Sequence, residues 1–247
     1  MMNTNQQAHH IQAADTTLVR TARPDIIVTS DIPELDALLG GFKAGETTLV
    51  DGNSSLIAEL PDRLSVNTYR TFHAETIYID AGMRADPYRI ARYARMLELD
   101  QQEVLENIVI SRAFTVYQLS TLLRDLLEPL IQKRSPRTLI IGMLPALYLD
   151  PDISPHEAQT LLAGDLQKIQ ELTTRYNLIT VATNLDSMPL TPSKGLGKTL
   201  YDSVSDILQM KQFDHTTSLA LVKKQRNATI IHGTKGQLRL EEFGMVM

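Results

Sequence analysis

The chain has 247 residues, 43% hydrophobic and 21% charged, the balance of one soluble domain able to bury a single core. It has no cysteine, which excludes disulfides and thiolate metal sites, and its six histidines (His9, His10, His73, His156, His215, His232) show no ligand spacing. Net charge is −5, yet residues 191–247 hold eight basic and five acidic side chains, a modestly basic quarter rather than a nucleic-acid footprint.

Residues 1–22 are polar and aperiodic, and are expected to form a flexible tail ahead of a single domain over 23–247. The start MMNTNQQAHH is unlike a secretory signal, and no apolar run approaches the roughly 18 residues of a membrane span, so a cytoplasmic location is expected. DIIVT (25–29) reads as a short strand. Asp31 is expected to cap the helix IPELDALL, which stops at Gly40-Gly41 as a helix C-terminus should.

ETTLV (46–50) and ETIYID (75–80) read as buried strands. Asp86-Pro87 and DQQE (100–103) are capped helix starts, and IVISRAF (108–114) is a further strand. From Thr115 a helix carries the apolar stripe Val116, Leu119, Leu122, Leu123, Leu126, Leu127 and Leu130. TLIIGML (138–144) lacks alternation, as a central parallel strand does. Ser154-Pro155-His156-Glu157 is a capping box opening a helix to about Asn177, followed by the strand LITVATN (178–184). SDILQMKQF, TTSLALVKK and QLRLEEF then suggest an antiparallel edge. The sum is a three-layer α/β domain with a mixed, mostly parallel sheet.

The chemistry-bearing question lies in TTLVDGNSSLIAELPDRL (47–64). A strand running into Gly52-Asn53-Ser54-Ser55 is the usual prelude to a phosphate-binding loop, but GxxxxGK[ST] is not completed. The next charges, Glu59 and Asp62, are acidic and are expected to offset the helix dipole that would attract phosphate. A like-charge contact at ~4 Å costs about 4 kcal/mol at an effective dielectric of about 20.

Four segments in series resemble the RecA/RadA recombinase family: IPELDALLGGFKAGETTLVDG, the stretch from YIDAGMRADPYRI to NIVISRAF, TLIIGMLPALY, and QKIQELTTRYNLITVATN. The resemblance runs over residues 25–247 and implies a RecA-like P-loop core, without that family's separate N-terminal DNA-binding domain. It also implies where an ATPase would hold its machinery. The Walker lysine falls at Ile57 or Ala58, the catalytic glutamate at Gly82, the Walker B aspartate at Gly142, and the γ-phosphate-sensing glutamine at Leu185. Phosphoryl transfer needs the amide cradle, a cation and a metal-holding carboxylate, and all four positions are glycine or apolar. Four independent losses point to an abandoned site with no catalytic residue, no metal and no cofactor.

SKGLGKT (193–199) is a decoy: the glycine needed four residues before Gly197 is Pro192. The family places a DNA-binding loop there, so Lys194 and Lys198 are candidate backbone contacts for weak single-stranded DNA binding, against the simpler reading of a solvated loop. The other DNA-binding loop reads LDPDISPHEAQT (149–160), acidic throughout, and offers no counterion release. Family members polymerise by adding a short segment to a neighbour's sheet edge, anchored by phenylalanine and, three residues on, alanine. The nearest equivalent here is Val19-Arg20-Thr21-Ala22, which departs in its valine.

The resemblance therefore implies a non-catalytic recombinase paralogue, acting in recombination or repair through contacts with an active recombinase or with itself. Two other readings stay open: an ATP-dependent DNA-binding enzyme with an unrecognised or shared nucleotide site, and a regulatory module outside DNA repair.

Overall fold

The apolar segments assemble into one sheet in a computed structural model that describes residues 26–185 and 195–232. Strands β1 (Ile27–Val28) and β2 (Phe42–Lys43) form a small antiparallel pair. The main sheet contains β3 (Thr47–Gly52), β4 (Thr76–Asp80), β5 (Ile108–Arg112), β6 (Thr138–Gly142), β7 (Ile179–Leu185), β8 (Asp206–Gln212), β9 (Thr216–Leu221) and β10 (Arg226–Ile231). Their order is β10-β9-β8-β3-β7-β6-β4-β5, parallel from β8 to β5 and antiparallel through β9 and β10.

The C-terminal strands differ from expectation in two ways. SDILQMKQF is not part of the antiparallel edge; as β8 it lies parallel to β3, and reversal starts with β9. The last described strand comes from RNATII, whose three exposed or half-exposed polar residues, Arg226, Asn227 and Thr229, hid its strand character. QLRLEEF, the tail (1–22) with Val19 and Ala22, and Lys194 lie outside the described residues.

Strand pleating sends alternate residues to opposite faces. Leu49, Ile77, Ile79, Leu139 and Ile141 join one core cluster. It packs under α5 (Val116–Thr121), α6 (Leu127–Arg134), α7 (Pro155–Arg175) and α8 (Leu196–Asp202). Val50, Tyr78, Ile140 and Val181 face the other way, toward α1 (Pro33–Leu39) and α2 (Leu56–Phe72). Beside α2, α3 (Pro87–Met96) and α4 (Gln101–Glu106) close a third cluster. This is the expected three-layer architecture.

Three caps form as read: the Asp86 carboxylate accepts from the Tyr88 and Arg89 amides, Asp100 from Glu103, and Ser154 from Glu157. Thr115, read only as a helix start, also caps, accepting from the Gln118 amide. Asp31 does not cap α1. It adopts a left-handed backbone (φ 56°) and pairs with Arg70 at 2.7 Å, while Ser30 and Asp36 hold the helix entry.

The leucine-rich helix also departs from a simple stripe. A π-helical turn, Leu122–Leu126, separates α5 from α6. It splits the apolar residues into two rows: Val116, Leu119, Leu123, Leu127 and Ile131 enter the core, while Leu122 and Leu130 are partly buried and Leu126 is 54% exposed.

Candidate functional site

The positions singled out from sequence converge at the carboxyl edge of the sheet, where open α/β sheets bind ligands. Register places Gly52 beside Leu185 and Asp80 beside Gly142. Asp51, one residue before the turn, is held by the Asn184 side-chain amide at 2.8 Å and by the Tyr201 hydroxyl.

Gly52 has φ 138°, and a Cβ there would lie 2.0 Å from the Met210 carbonyl oxygen. Only glycine permits β8 to come so close. The next turn is tied to the same strand. The Asn53 amide donates to the Met210 carbonyl at 3.1 Å, and its side-chain oxygen accepts from the Gln212 amide at 2.7 Å. Ser54 donates its hydroxyl to the Gln212 side chain at 3.1 Å and accepts from the Leu56 amide at 3.4 Å. The Ile57 and Ala58 amides turn back to the Ser54 and Ser55 carbonyls, both at 3.1 Å. A phosphate loop points its amides at the ligand; here those of Asn53, Leu56, Ile57 and Ala58 are engaged within the protein.

The described side chains above this turn pack closely. Ile57, Ala58, Tyr78, Met143 and Leu185 line a space of about 10 Å³, room for a single water. Arg84 is the charged residue at its wall. Two side chains do most of the filling. Met143 takes a left-handed backbone (φ 56°), its amide held by the Thr183 hydroxyl at 3.0 Å, and lies across Gly82. A Cβ on Gly82 would come 2.3 Å from Met143 Cγ. A Cβ on Gly142 would come 2.9 Å from the Tyr78 ring. The two positions that the resemblance assigns to carboxylates thus have neighbours packed against them. Neither Tyr78 nor Met143 was singled out from sequence, and no pattern marked either of them.

Of the two acidic residues following the turn, Glu59 takes the expected first-turn place and Asp62 does not. Glu59 sits in the first turn of α2 and accepts from the Tyr93 hydroxyl at 2.5 Å. Asp62 lies a turn further in, is fully buried, and pairs with Arg89 rather than offsetting the helix dipole. Burial pushes its carboxyl from an ordinary 3.8 up to about 7, against the pull of the Arg89 guanidinium. Asp80 is structural, because its carboxylate accepts from the Gly82, Arg84 and Ala85 amides and shapes the loop before α3.

Lys198 is exposed on α8. Asp150 and Asp152, beyond the short 3₁₀ turn Ala146–Leu149, also face solvent. Among the described residues no group of His, Asp or Glu is placed to hold a metal ion, and no helix is long and apolar enough to cross a membrane.

A parallel sheet with two antiparallel strands at one edge, built around a strand–turn–helix at β3, defines a RecA-like recombinase core. A Rad51 family model matches residues 25–194, and the chain belongs to that family. It is 30% identical over 173 residues to DNA repair protein RAD51 homolog 1 of Arabidopsis thaliana, covering 66% of this chain and 50% of that protein. It is 26% identical over 191 residues to the DNA repair protein Rad51 homolog of Drosophila melanogaster, covering 70% and 55%. The chain spans about half the length of these curated relatives.

Two outcomes follow from this geometry. Gly142→Asp should lower stability by at least ~2 kcal/mol through overpacking against Tyr78 and burial of a charge. It should also leave phosphate release from ATP at background; thermal unfolding and a phosphate assay check both, and turnover by this variant would contradict a filled cleft. The second concerns Asp62. Because its pKa is raised on folding, the native state keeps a proton that the unfolded chain releases. That contribution is complete below about 3.8 and is lost as pH rises to about 7. Melting temperature should fall across this window more steeply in wild type than in Asp62→Asn, and identical slopes would refute the assignment.

Proposed function

We propose that this chain is a Rad51-family paralogue that does not turn over ATP and works in DNA recombination or repair by binding an active recombinase. The observation that carries the reading is the filled cleft: the amides are engaged, the carboxylate positions are glycines under Tyr78 and Met143, and the lysine position is apolar. Such a cleft offers triphosphate neither volume nor compensating charge beyond Arg84.

A contrast on the same sheet supports the protein-contact half. Strand β5 ends the sheet order, its described partner being β4 alone. Next to it, Ile77, Ile79, Ser111, Leu122, Leu126 and Leu130 line an apolar groove of about 230 Å³. An unpaired parallel edge beside an apolar groove suits an added strand whose backbone pairs with β5 and whose large side chain fills the groove. The occupant we assign is the extended, phenylalanine-anchored segment of an active family recombinase. In that arrangement this chain is the acceptor. Its own Val19 and Ala22 are the weaker donor half, because valine buries less surface than phenylalanine.

Acidic residues at 150 and 152 argue against strong independent binding to single-stranded DNA. Contacts by Lys194 and Lys198 would be weak and steeply salt-dependent.

Millimolar ATP with Mg²⁺ should leave the melting temperature unchanged, whereas a ligand at a hundredfold excess over its Kd adds about 2.7 kcal/mol. A clear rise would restore the reading of an ATP-binding enzyme with a shared site. In a pull-down of a purified family recombinase, Leu126→Glu should cut capture at least tenfold, by setting a charge in the groove. Undiminished capture would remove the groove from the proposal. Equal capture by wild type, Val19→Asp and a chain starting at Arg23 would remove the tail.

A further inference from the structure

The π turn that lines the groove also contributes to a polar cluster that the docking reading does not use. Asp165, on α7, is fully buried. Its carboxylate accepts from the Ser120 hydroxyl at 2.5 Å, the Arg124 guanidinium at 2.5 Å and the Tyr148 hydroxyl at 2.6 Å. Arg124 also donates to the Leu161 carbonyl at 3.0 Å. Glycine at 164 makes room for it, since a Cβ there would sit 2.6 Å from the guanidinium. Burial, and then Asp165, push the Tyr148 phenol well above its ordinary range, so it remains a donor.

The three donors come from three places. Ser120 is in α5, just before the π-helical turn; Arg124 is within that turn; Tyr148 is in the 3₁₀ turn that follows β6. A π turn holds one residue more than an α turn. Its collapse to α would rotate everything beyond it by roughly 100° about the helix axis. Leu126 and Leu130, which line the groove, lie in or beyond that turn. Their direction therefore depends on what keeps the extra residue in place.

We propose that Asp165 is a positioning residue for the docking groove: by gripping Ser120 and Arg124 it fixes the π-helical wall, and through Tyr148 it couples that wall to the turn after β6. This rests on the docking reading for its ligand, but the coupling itself concerns the free protein. A buried carboxylate that loses one donor leaves its remaining contacts to rearrange together, so a change at Tyr148 reaches the groove and a filled groove reaches residues 146–149.

Hydrogen exchange and peptide binding test this together. The probe is a fluorescein-labelled hexapeptide carrying phenylalanine and, three residues on, alanine; the proteins are full-length wild type, Tyr148→Phe and Asp165→Asn, each checked for fold by circular dichroism. Without peptide, Tyr148→Phe should speed exchange across residues 122–130, through loss of the bond its hydroxyl makes to Asp165. Equal rates there would overturn the coupling whether or not the peptide binds. With peptide, wild type should show slowed exchange at 146–149. Asp165→Asn should bind about tenfold more weakly and lose that response. Wild-type affinity in Asp165→Asn, or a silent 146–149 in liganded wild type, would also overturn it. Failure of the peptide to bind wild type while the first result holds would instead count against the docking reading alone.

Discussion

The carboxyl edge of the sheet depends on how closely β8 approaches the end of β3. With no Cβ at Gly52, the Met210 carbonyl moves into the space a side chain would take and receives the Asn53 amide. The Asn53 side chain then holds the Gln212 amide, and Ser54 holds the Gln212 side chain. A turn fastened this way has no slack to wrap an anion, and α2 starts at Leu56. Ile57 and Ala58 are delivered to the cleft as a consequence, as is Leu185, which pairs with Gly52 in register. Engagement of the turn's amides and the placement of Ile57, Ala58 and Leu185 are thus one structural event.

Tyr78 and Met143 complete it from the other side. Tyr78 projects from β4 under Gly142, and Met143 crosses Gly82 from just beyond β6. The left-handed backbone at Met143 is unfavourable for a residue with a side chain. Its amide bond to Thr183 and the burial of its thioether, 5% exposed, offset that cost. Glycine at 82 and 142 is therefore a packing requirement as well as a missing carboxylate, and changing either back meets a neighbour already in place.

Much of this was legible in the sequence because it is periodic or local. The parallel core strands, the caps at Asp86, Asp100 and Ser154, the helix start at Thr115, and the glycine stop after α1 rest on pattern alone. What escaped depends on distant partners. Asp31 looked like a cap, but Arg70 takes its carboxylate. Asp62 looked like a dipole-facing charge, but α2 starts early enough to carry it inside to Arg89. SDILQMKQF looked like an edge, yet its place beside β3 follows from a long connection that strand periodicity does not reveal. The π turn is invisible to a pattern search because its leucines suit either register. The glycines at 82 and 142 could be read, but the residues packed against them could not: Met143 and Tyr78 reach them from neighbouring segments of the sheet.

Strand β4 shows how the two faces of one sheet are packed independently. Its pleat sends Tyr78 to the filled cleft and Ile77 and Ile79 to the groove beside β5. Adjacent residues share a backbone but no packing environment, so enlarging a side chain at 78 leaves the groove lining untouched. The loops at the carboxyl edge of the sheet are fastened within the protein, by Asp80 on one side and Met210 with Gln212 on the other. A ligand has to bind two states unequally to shift them. At the β5 edge the Asp165 cluster bonds the groove wall to the turn after β6, so a partner that prefers one arrangement of that wall would be felt at residues 146–149.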